Sequence, residues 1–428
     1  MKVLVIGGGG REHSLVWALG RSERVSEVVC APGNAGIAGL ARCLQLDVND
    51  VEATVAMALA EQPGLVVIGP EVPLALGAVD ALEARGMRVF GPTREAARLE
   101  TSKLFAKEFM RQNEIATAAY AVCTGPEDVW EALRDFSVPV VVKADGLAAG
   151  KGVVICQTHR EAEVAAAQMF SGDLFGTAVE SVILEDFLTG EELSFFALCD
   201  GKTAVPIAAA QDHKRVGEGD MGPNTGGMGA YSTDELMGEA MRVWLTERVA
   251  QRVVDGMRDQ WSEFRGVLFC GMMMVPRADG TVEPTVLEFN TRFGDPETEA
   301  LMLRLETDLL DVLEAAVDGT ADELDIRMRR EASVCVIAAS GGYPGEYVGG
   351  KVISGLESVG DGAVVFHCGT AERAGDVVTA GGRVLGVSAV GADLEEALSR
   401  AYAALAGIRF EGMQYRRDIG WRALKKES

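Results

Sequence analysis

The chain has 428 residues, 48% hydrophobic and 24% charged; that balance excludes a disordered chain, and the length exceeds the ~150 residues that one core usually fills, so several packed units are expected. Asp and Glu number 64 against 40 Lys and Arg, a formal charge of −24, which repels a phosphate backbone and argues against nucleic acid as a partner. A phosphorylated substrate must then be met locally, by Lys, Arg, a divalent cation or a helix N-terminus.

Residues 3–6, 28–30, 65–68 and 88–90 are short apolar runs separated by helical patterns, the rhythm of parallel βαβ units. The loops at 7–10, 31–36 and 69–73 would then gather at one sheet edge, where open α/β folds bind ligands. Gly7, Gly8, Gly9 and Gly10 follow a strand and precede a helix starting near Arg11. This suits an anion held by backbone N–H groups, and equally a tight turn with no ligand. A dinucleotide fingerprint needs a third glycine where Glu12 stands and an acid where Cys30 and Ala31 stand, so a nicotinamide cofactor is disfavoured.

From about 103 the strands come in pairs joined by Gly-containing turns, 138–143 with 153–156 and 267–275 with 281–290, which predicts mainly antiparallel α+β structure. KADGLAAGKG at 143–152 lies between β-branched runs, and its spacing differs from a Walker A loop, since Lys151 is followed by Gly152. It reads as a flap closing over phosphates, or as an ordinary hairpin loop with solvated lysines. The stretch 211–231, long and rich in glycine, is a functional loop or a disordered one. His213 has no second His or Cys at zinc spacing nearby, and Met272, Met273 and Met274 read as core filling.

VLEFNTRFGDPE at 286–297 ends an apolar strand in polar groups. Glu288 and Asn290, two apart, share a face and offer hard oxygens suited to Mg²⁺. Arg292 would point the same way if the extended geometry persists, to neutralise a phosphoryl group or simply to pair with the Glu. A break near 329–331 opens a third unit of short strands, 333–338, 364–367 and 383–390, followed by an amphipathic helix at 394–405. The eight cysteines show no C-x-x-C pair, and neither a signal peptide nor an 18-residue apolar segment is evident, so a reduced, cytoplasmic protein without membrane contact is expected.

GGREH at 9–13, APGNAG at 31–36, KADGLAAGKGV at 143–153, QDHKR at 211–215, GPNTGGMGAYS at 222–232, NTRFGDPE at 290–297 and DIGWRA at 418–423 together resemble the phosphoribosylamine–glycine ligase family of ATP-grasp enzymes, over nearly the whole chain. The resemblance implies a Rossmann-like N-terminal (pre-ATP-grasp) domain at 1–102, an ATP-grasp domain at 103–328 with antiparallel sheets and a small lid at about 123–191, and a small α+β C-terminal domain at 329–428. It implies ATP and Mg²⁺ (or Mn²⁺), with glycine and 5-phosphoribosylamine as substrates and a monomer or weak homodimer as the assembly. A related carboxylase, a nucleotide-sensing protein and a dehydrogenase are the rivals.

Carried over by residue, Lys103 and Lys143 would hold the ATP phosphates under a flap of Gly146, Gly150, Lys151 and Gly152. Glu185 and Phe187 would line the adenine hinge, Glu192 the ribose, and Glu288 and Asn290 the metal. Arg292, Lys214 and Asp295 are the expected catalytic residues. Gly9, Gly10, Arg11, Glu12, His13, Asn34, Glu71, Asp212, His213, Thr225 and Gly226 are the expected substrate contacts. Two positions depart from the family pattern: Gly8, where Asn is common, puts a side-chain contact to the sugar phosphate in doubt, and Thr291, where Cys is frequent, is expected to face away without consequence.

Overall fold

The computed structural model describes residues 1–146, 152–173 and 178–426. Its first unit is a parallel sheet of β1 (Lys2–Gly7), β2 (Glu27–Pro32), β3 (Arg42–Cys43), β4 (Leu65–Ile68) and β5 (Val89–Phe90), in the order β3-β2-β1-β4-β5. Val3, Leu4, Val5 and Ile6 are all 0% exposed, as expected of a central parallel strand covered on both faces. The strand order reverses between β1 and β4, so the loops that leave these two strands flank the crevice of the sheet.

Ser102 caps the helix Lys103–Gln112 by accepting from the Phe105 N–H. A four-stranded antiparallel sheet follows, from β6 (Tyr120–Cys123), β7 (Val140–Ala144), β8 (Val153–Cys156) and β9 (Val182–Asp186), in the order β6-β9-β7-β8. Its apolar face packs on the helices Pro126–Ala132 and His159–Ser171 through Val129, Ala162 and Met169.

The remaining strands are β10 (Glu191–Asp200), β11 (Ala204–Asp212), the ribbon β12 (Arg215–Gly217) and β13 (Met221–Asn224), β14 (Gly229–Ser232), β15 (Arg265–Pro276), β16 (Val282–Asn290), β17 (Ala332–Ala339), β18 (Ala363–His367), the hairpin β19 (Thr370–Arg373) and β20 (Asp376–Thr379), and β21 (Arg383–Gly391). Eight of them form one sheet, in the order β16-β15-β10-β11-β14-β17-β21-β18. The stretch 211–231 is therefore ordered, as a ribbon and a strand. The third unit does not stand apart, because Tyr231 of β14 pairs with Val334 of β17 and carries the sheet across the break seen near 329. The helix Glu297–Arg304 packs beneath this junction, where Ser333 Oγ donates to the Ala300 carbonyl at 2.8 Å.

All eight cysteines are free, and all but Cys43 and Cys368 are buried. Met272 is fully buried, whereas Met273 and Met274 are only partly so. Among the described residues no helix is long and apolar enough to cross a membrane.

Candidate active site

The register of β15 with β16 slips between Gly271–Glu288 and Met272–Val286, so Leu287 bulges. Its carbonyl is turned outward and accepts from Lys143 Nζ at 3.3 Å. Beyond the bulge the alternation resumes: Phe289 is 2% exposed, while Glu288 and Asn290 on either side stay partly open. Desolvation works to raise the Glu288 carboxyl, but Lys214, Lys143, Lys103 and Arg292 together hold it below its ordinary value. Glu288 thus presents an ionised oxygen beside the Asn290 amide. Among the described residues no group of three or more His, Cys, Asp or Glu could hold a metal. Two hard oxygens with room for water and phosphate fit Mg²⁺, which seldom takes a full protein shell.

Arg292 stays with this pair. Its Nη2 donates to Asn290 Oδ1 at 3.3 Å, its Nε lies 3.0 Å from Glu71, and its Nη2 lies 2.9 Å from Glu100. Glu100 went unnoticed in the sequence, sitting in a short helix without a motif. Its second oxygen accepts from the Thr291 N–H at 2.8 Å and hydroxyl at 3.2 Å. Thr291, expected to be without consequence, is therefore buried against the carboxylate that aims Arg292. Thr291→Val should cost about 1 kcal/mol, one hydroxyl hydrogen bond, seen as a lower urea midpoint with the backbone bond retained.

On the opposite side, Glu185 is 2% exposed and lies 2.9 Å from both Lys143 and Lys107. The resemblance puts Glu185 at the adenine hinge; in the structure its carboxylate is engaged by two ammonium groups. Burial pulls the Lys107 ammonium down to about 8. Lys103 Nζ donates to the Gly146 carbonyl at 2.8 Å, and the Leu104 N–H donates to Asp145 at 3.1 Å. Asp145, missed in the sequence, thus fastens the base of the flap to a helix N-terminus. Gly150 and Lys151 lie outside the described residues, but the Ala144 N–H meets the Gly152 carbonyl at 2.9 Å. Phe187 is 37% exposed just beyond β9, and Glu192 lies 3.0 Å from Lys214.

The loop after β1 is internally tied. Gly9 N–H donates to Glu12 at 2.7 Å, and Arg11 donates to Glu12 at 2.6 Å and to the Phe293 carbonyl at 3.3 Å. His13 Nδ1 accepts from the His367 N–H at 2.7 Å. Asn34 donates to the Gly8 and His367 carbonyls and accepts from the Gly36 and Ile37 N–H groups. Of these four side chains, expected to touch substrate, Arg11, His13 and Asn34 join the first unit to the other two, and Glu12 is engaged within the loop itself. The departure at Gly8 has a steric reason: a Cβ there would lie 2.4 Å from the Gly33 carbonyl, so a larger side chain needs the two loops to part.

His213, expected at the substrate, is 0% exposed with both ring nitrogens occupied, Nδ1 by the Gly229 carbonyl at 3.2 Å and Nε2 by the Gly420 N–H at 3.0 Å. It is a neutral strut between 211–231 and the C-terminal segment. Asp212 accepts from the His213 N–H at 2.6 Å, and burial, then Glu297, push its carboxyl well above the usual range. Thr225 folds back on the Lys214 carbonyl at 2.9 Å. Gly226 donates to the Tyr343 hydroxyl at 3.0 Å and accepts from Arg383 at 2.6 Å; Arg383 also lies 3.0 Å from the Asp295 carboxylate. Tyr343 and Arg383 come from the third unit, and nothing in their sequence context marks them.

Burial lowers the imidazoles of His13, His213 and His367 to about 3, about 4 and about 4. The unfolded chain takes up these protons near pH ~6.5, so stability is intact above that and is lost as pH falls toward 4. The slope is at most about 1.4 kcal/mol per pH unit for each group. Urea midpoints at pH 7 and pH 5 should differ in that direction; equal midpoints would mean the rings are hydrated when folded.

Models of the phosphoribosylglycinamide synthetase N domain, ATP-grasp (A) domain and C domain match residues 1–100, 101–298 and 333–422. The phosphoribosylamine–glycine ligase of Xanthomonas axonopodis pv. citri is 49% identical over 430 residues, covering 100% of this chain and 99% of its own. That of Salmonella typhimurium is 47% identical over 433 residues, covering 100% of both. The crystal structure of the Thermotoga maritima phosphoribosylamine–glycine ligase superposes with a TM-score of 0.84 at 33% identity, covering 98% of this chain and 100% of that one. A biotin carboxylase of Campylobacter jejuni, at 14% identity and a TM-score of 0.74 over 97% of this chain and 93% of that one, shares the fold alone.

Proposed function

This chain belongs to the phosphoribosylglycinamide synthetase family and is an ATP-dependent ligase of purine biosynthesis, and from that premise we propose that it joins glycine to 5-phosphoribosylamine through glycyl phosphate, with Mg²⁺ or Mn²⁺ at Glu288 and Asn290. One observation carries the reading: Lys103, Lys143, Lys214 and Arg292 all act on the Glu288 carboxylate at the end of β16. Four cations around one exposed acid, in a chain of net charge −24, suit a polyphosphate and a divalent ion.

The chemistry needs activation because a carboxylate is a poor acyl donor. A carboxylate oxygen of glycine attacks the γ-phosphorus, the bond from phosphorus to the ADP oxygen breaks, and an acyl phosphate forms. Bound at Glu288 and Asn290, the divalent ion would neutralise charge on the phosphates. Lys103 and Lys143, from the helix N-terminus and β7, would hold the phosphates in line, and Arg292 would meet the charge growing on the transferred group. Arg292 is suited to that because Glu71 and Glu100 fix its guanidinium beforehand.

In the second step the sugar amine attacks the acyl carbon, phosphate leaves, and the amine gives up a proton. Asp212, Lys214 and Asp295 would surround that acceptor, with Arg383 bracing Asp295 and Gly226. The glycine loop would offer its backbone N–H groups to the sugar phosphate. The flap, described at Gly146 and Gly152, would keep water from the acyl phosphate.

The test is an ADP-release assay with ATP, Mg²⁺, glycine and freshly made phosphoribosylamine, omitting each in turn. Release should require all four, and bicarbonate in place of glycine should give none. Release with bicarbonate, or without the amine at full rate, would point to a carboxylase or to an idle ATPase.

A further inference from the structure

Two helices, Gly10–Leu19 and Glu297–Arg304, begin side by side at the active site, where a Cβ on Gly10 would lie 2.2 Å from Glu299 Oε1. Ten residues of helix run about 15 Å. At the far ends of the same helices lies a cleft of about 410 Å³, lined by Trp17, Arg21, Met302, Glu306, Asp308 and Arg329 among others. No residue of this cleft takes part in the ligase reaction described above.

Its charges are unevenly satisfied. Arg329 Nε is buried without a hydrogen-bond partner, although the Arg329 backbone is fixed, donating to the Arg304 carbonyl at 2.7 Å and accepting from Arg304 Nη2 at 2.6 Å. Arg21 is held over the Trp17 ring, 4.6 Å from its centroid. Among the described residues neither guanidinium is in an ion pair. Asp308 is already committed, to Ser22 Oγ at 2.6 Å and to the Leu310 N–H at 2.9 Å as a helix cap. Glu306 is the exposed carboxylate that opposes an anion.

A buried guanidinium nitrogen without a partner calls for an explanation, and Arg329 shares this concave site with the exposed guanidinium of Arg21; guanidinium meets phosphate oxygens in bidentate fashion. We infer that this cleft is a second ligand site, for a small phosphate monoester held by Arg329 and Arg21. The indole of Trp17 gives a flat apolar wall for whatever the phosphate carries. The two helices give the site a rigid connection to the glycine loop. The inference does not depend on the ligase reading.

Isothermal titration of the full chain with AMP and with inorganic phosphate, in saturating ADP and Mg²⁺ to fill the nucleotide site, tests it; the sugar-phosphate site at the glycine loop stays open, so the binding assigned to the cleft is the part that the arginine variants weaken. Saturable binding is expected, weakened at least about tenfold by Arg329→Met and by Arg21→Met, and tightened by Glu306→Gln. Binding of phosphate alone as tight as AMP means the anion is recognised by itself; tighter AMP means Trp17 contributes. Either supports the site. If Arg329→Met fails to fold, the exposed Arg21→Met carries the test. No saturable binding in the wild type, or binding equal in the wild type and in Arg21→Met, overturns the inference.

Discussion

Arg292→Met should lower kcat by about 10²–10³-fold, the range for losing one preorganised donor to a developing charge, with the KM for ATP changed far less. The reason is where Arg292 is held. Three oxygens, from Glu71, Glu100 and Asn290, position its guanidinium before substrate arrives, so its contribution falls on the transition state rather than on ATP binding. The substitution has a second effect, since it strands Glu100, whose side chain is 7% exposed. Leaving a buried charge unpaired costs about 3–5 kcal/mol, so a fall in the urea midpoint is expected too. The double variant with Glu100→Gln separates the two: stability should recover and kcat should not. Equal losses in kcat and in ATP affinity would reduce Arg292 to a binding group, and recovery of both would reduce it to a structural one.

Glu288→Gln should lower turnover by roughly 10³-fold, because several kcal/mol of charge stabilisation depend on the ion it would hold. Unlike Arg292, Glu288 has a side chain 41% exposed, so the fold should survive unchanged. The carboxylate also offsets repulsion among Lys103, Lys143 and Lys214. Its loss should therefore raise the Mg²⁺ concentration needed for half-maximal rate while phosphate affinity at high Mg²⁺ changes little. A Mg²⁺ requirement identical to the wild type would remove Glu288 from the metal site. Loss of turnover on chelation of the wild type sets the baseline.

Local signals were read well from the sequence. The apolar runs at 3–6, 65–68 and 333–338 fall within β1, β4 and β17, since buried strands leave little choice but Val, Ile and Leu. The helix at 394–405 was legible by its amphipathic period, and the structure adds the Asp393 cap, which accepts from the Glu396 N–H. At the site, Glu288 and Asn290 were legible because polar residues alternate at the end of an apolar strand. What depends on distant pairing was not. Glu100, Asp145, Tyr343 and Arg383 act on residues 191, 41, 117 and 157 positions away, and no local pattern marks such a partner. His213 sits inside a distinctive motif, yet the backbone partners of its two nitrogens, at Gly229 and Gly420, are again set by distant pairing.

The union of β14 with β17 bears on how the polypeptide can be cut. A truncation after 331 would strip β14 of its outer neighbour and bare a raw edge of N–H and C=O groups, an invitation to intermolecular strand addition. The same cut would release Gly226 and Asp295 from Tyr343 and Arg383. Such a fragment should aggregate instead of yielding a smaller working enzyme, and a tag or fusion partner belongs at either terminus, never at that seam.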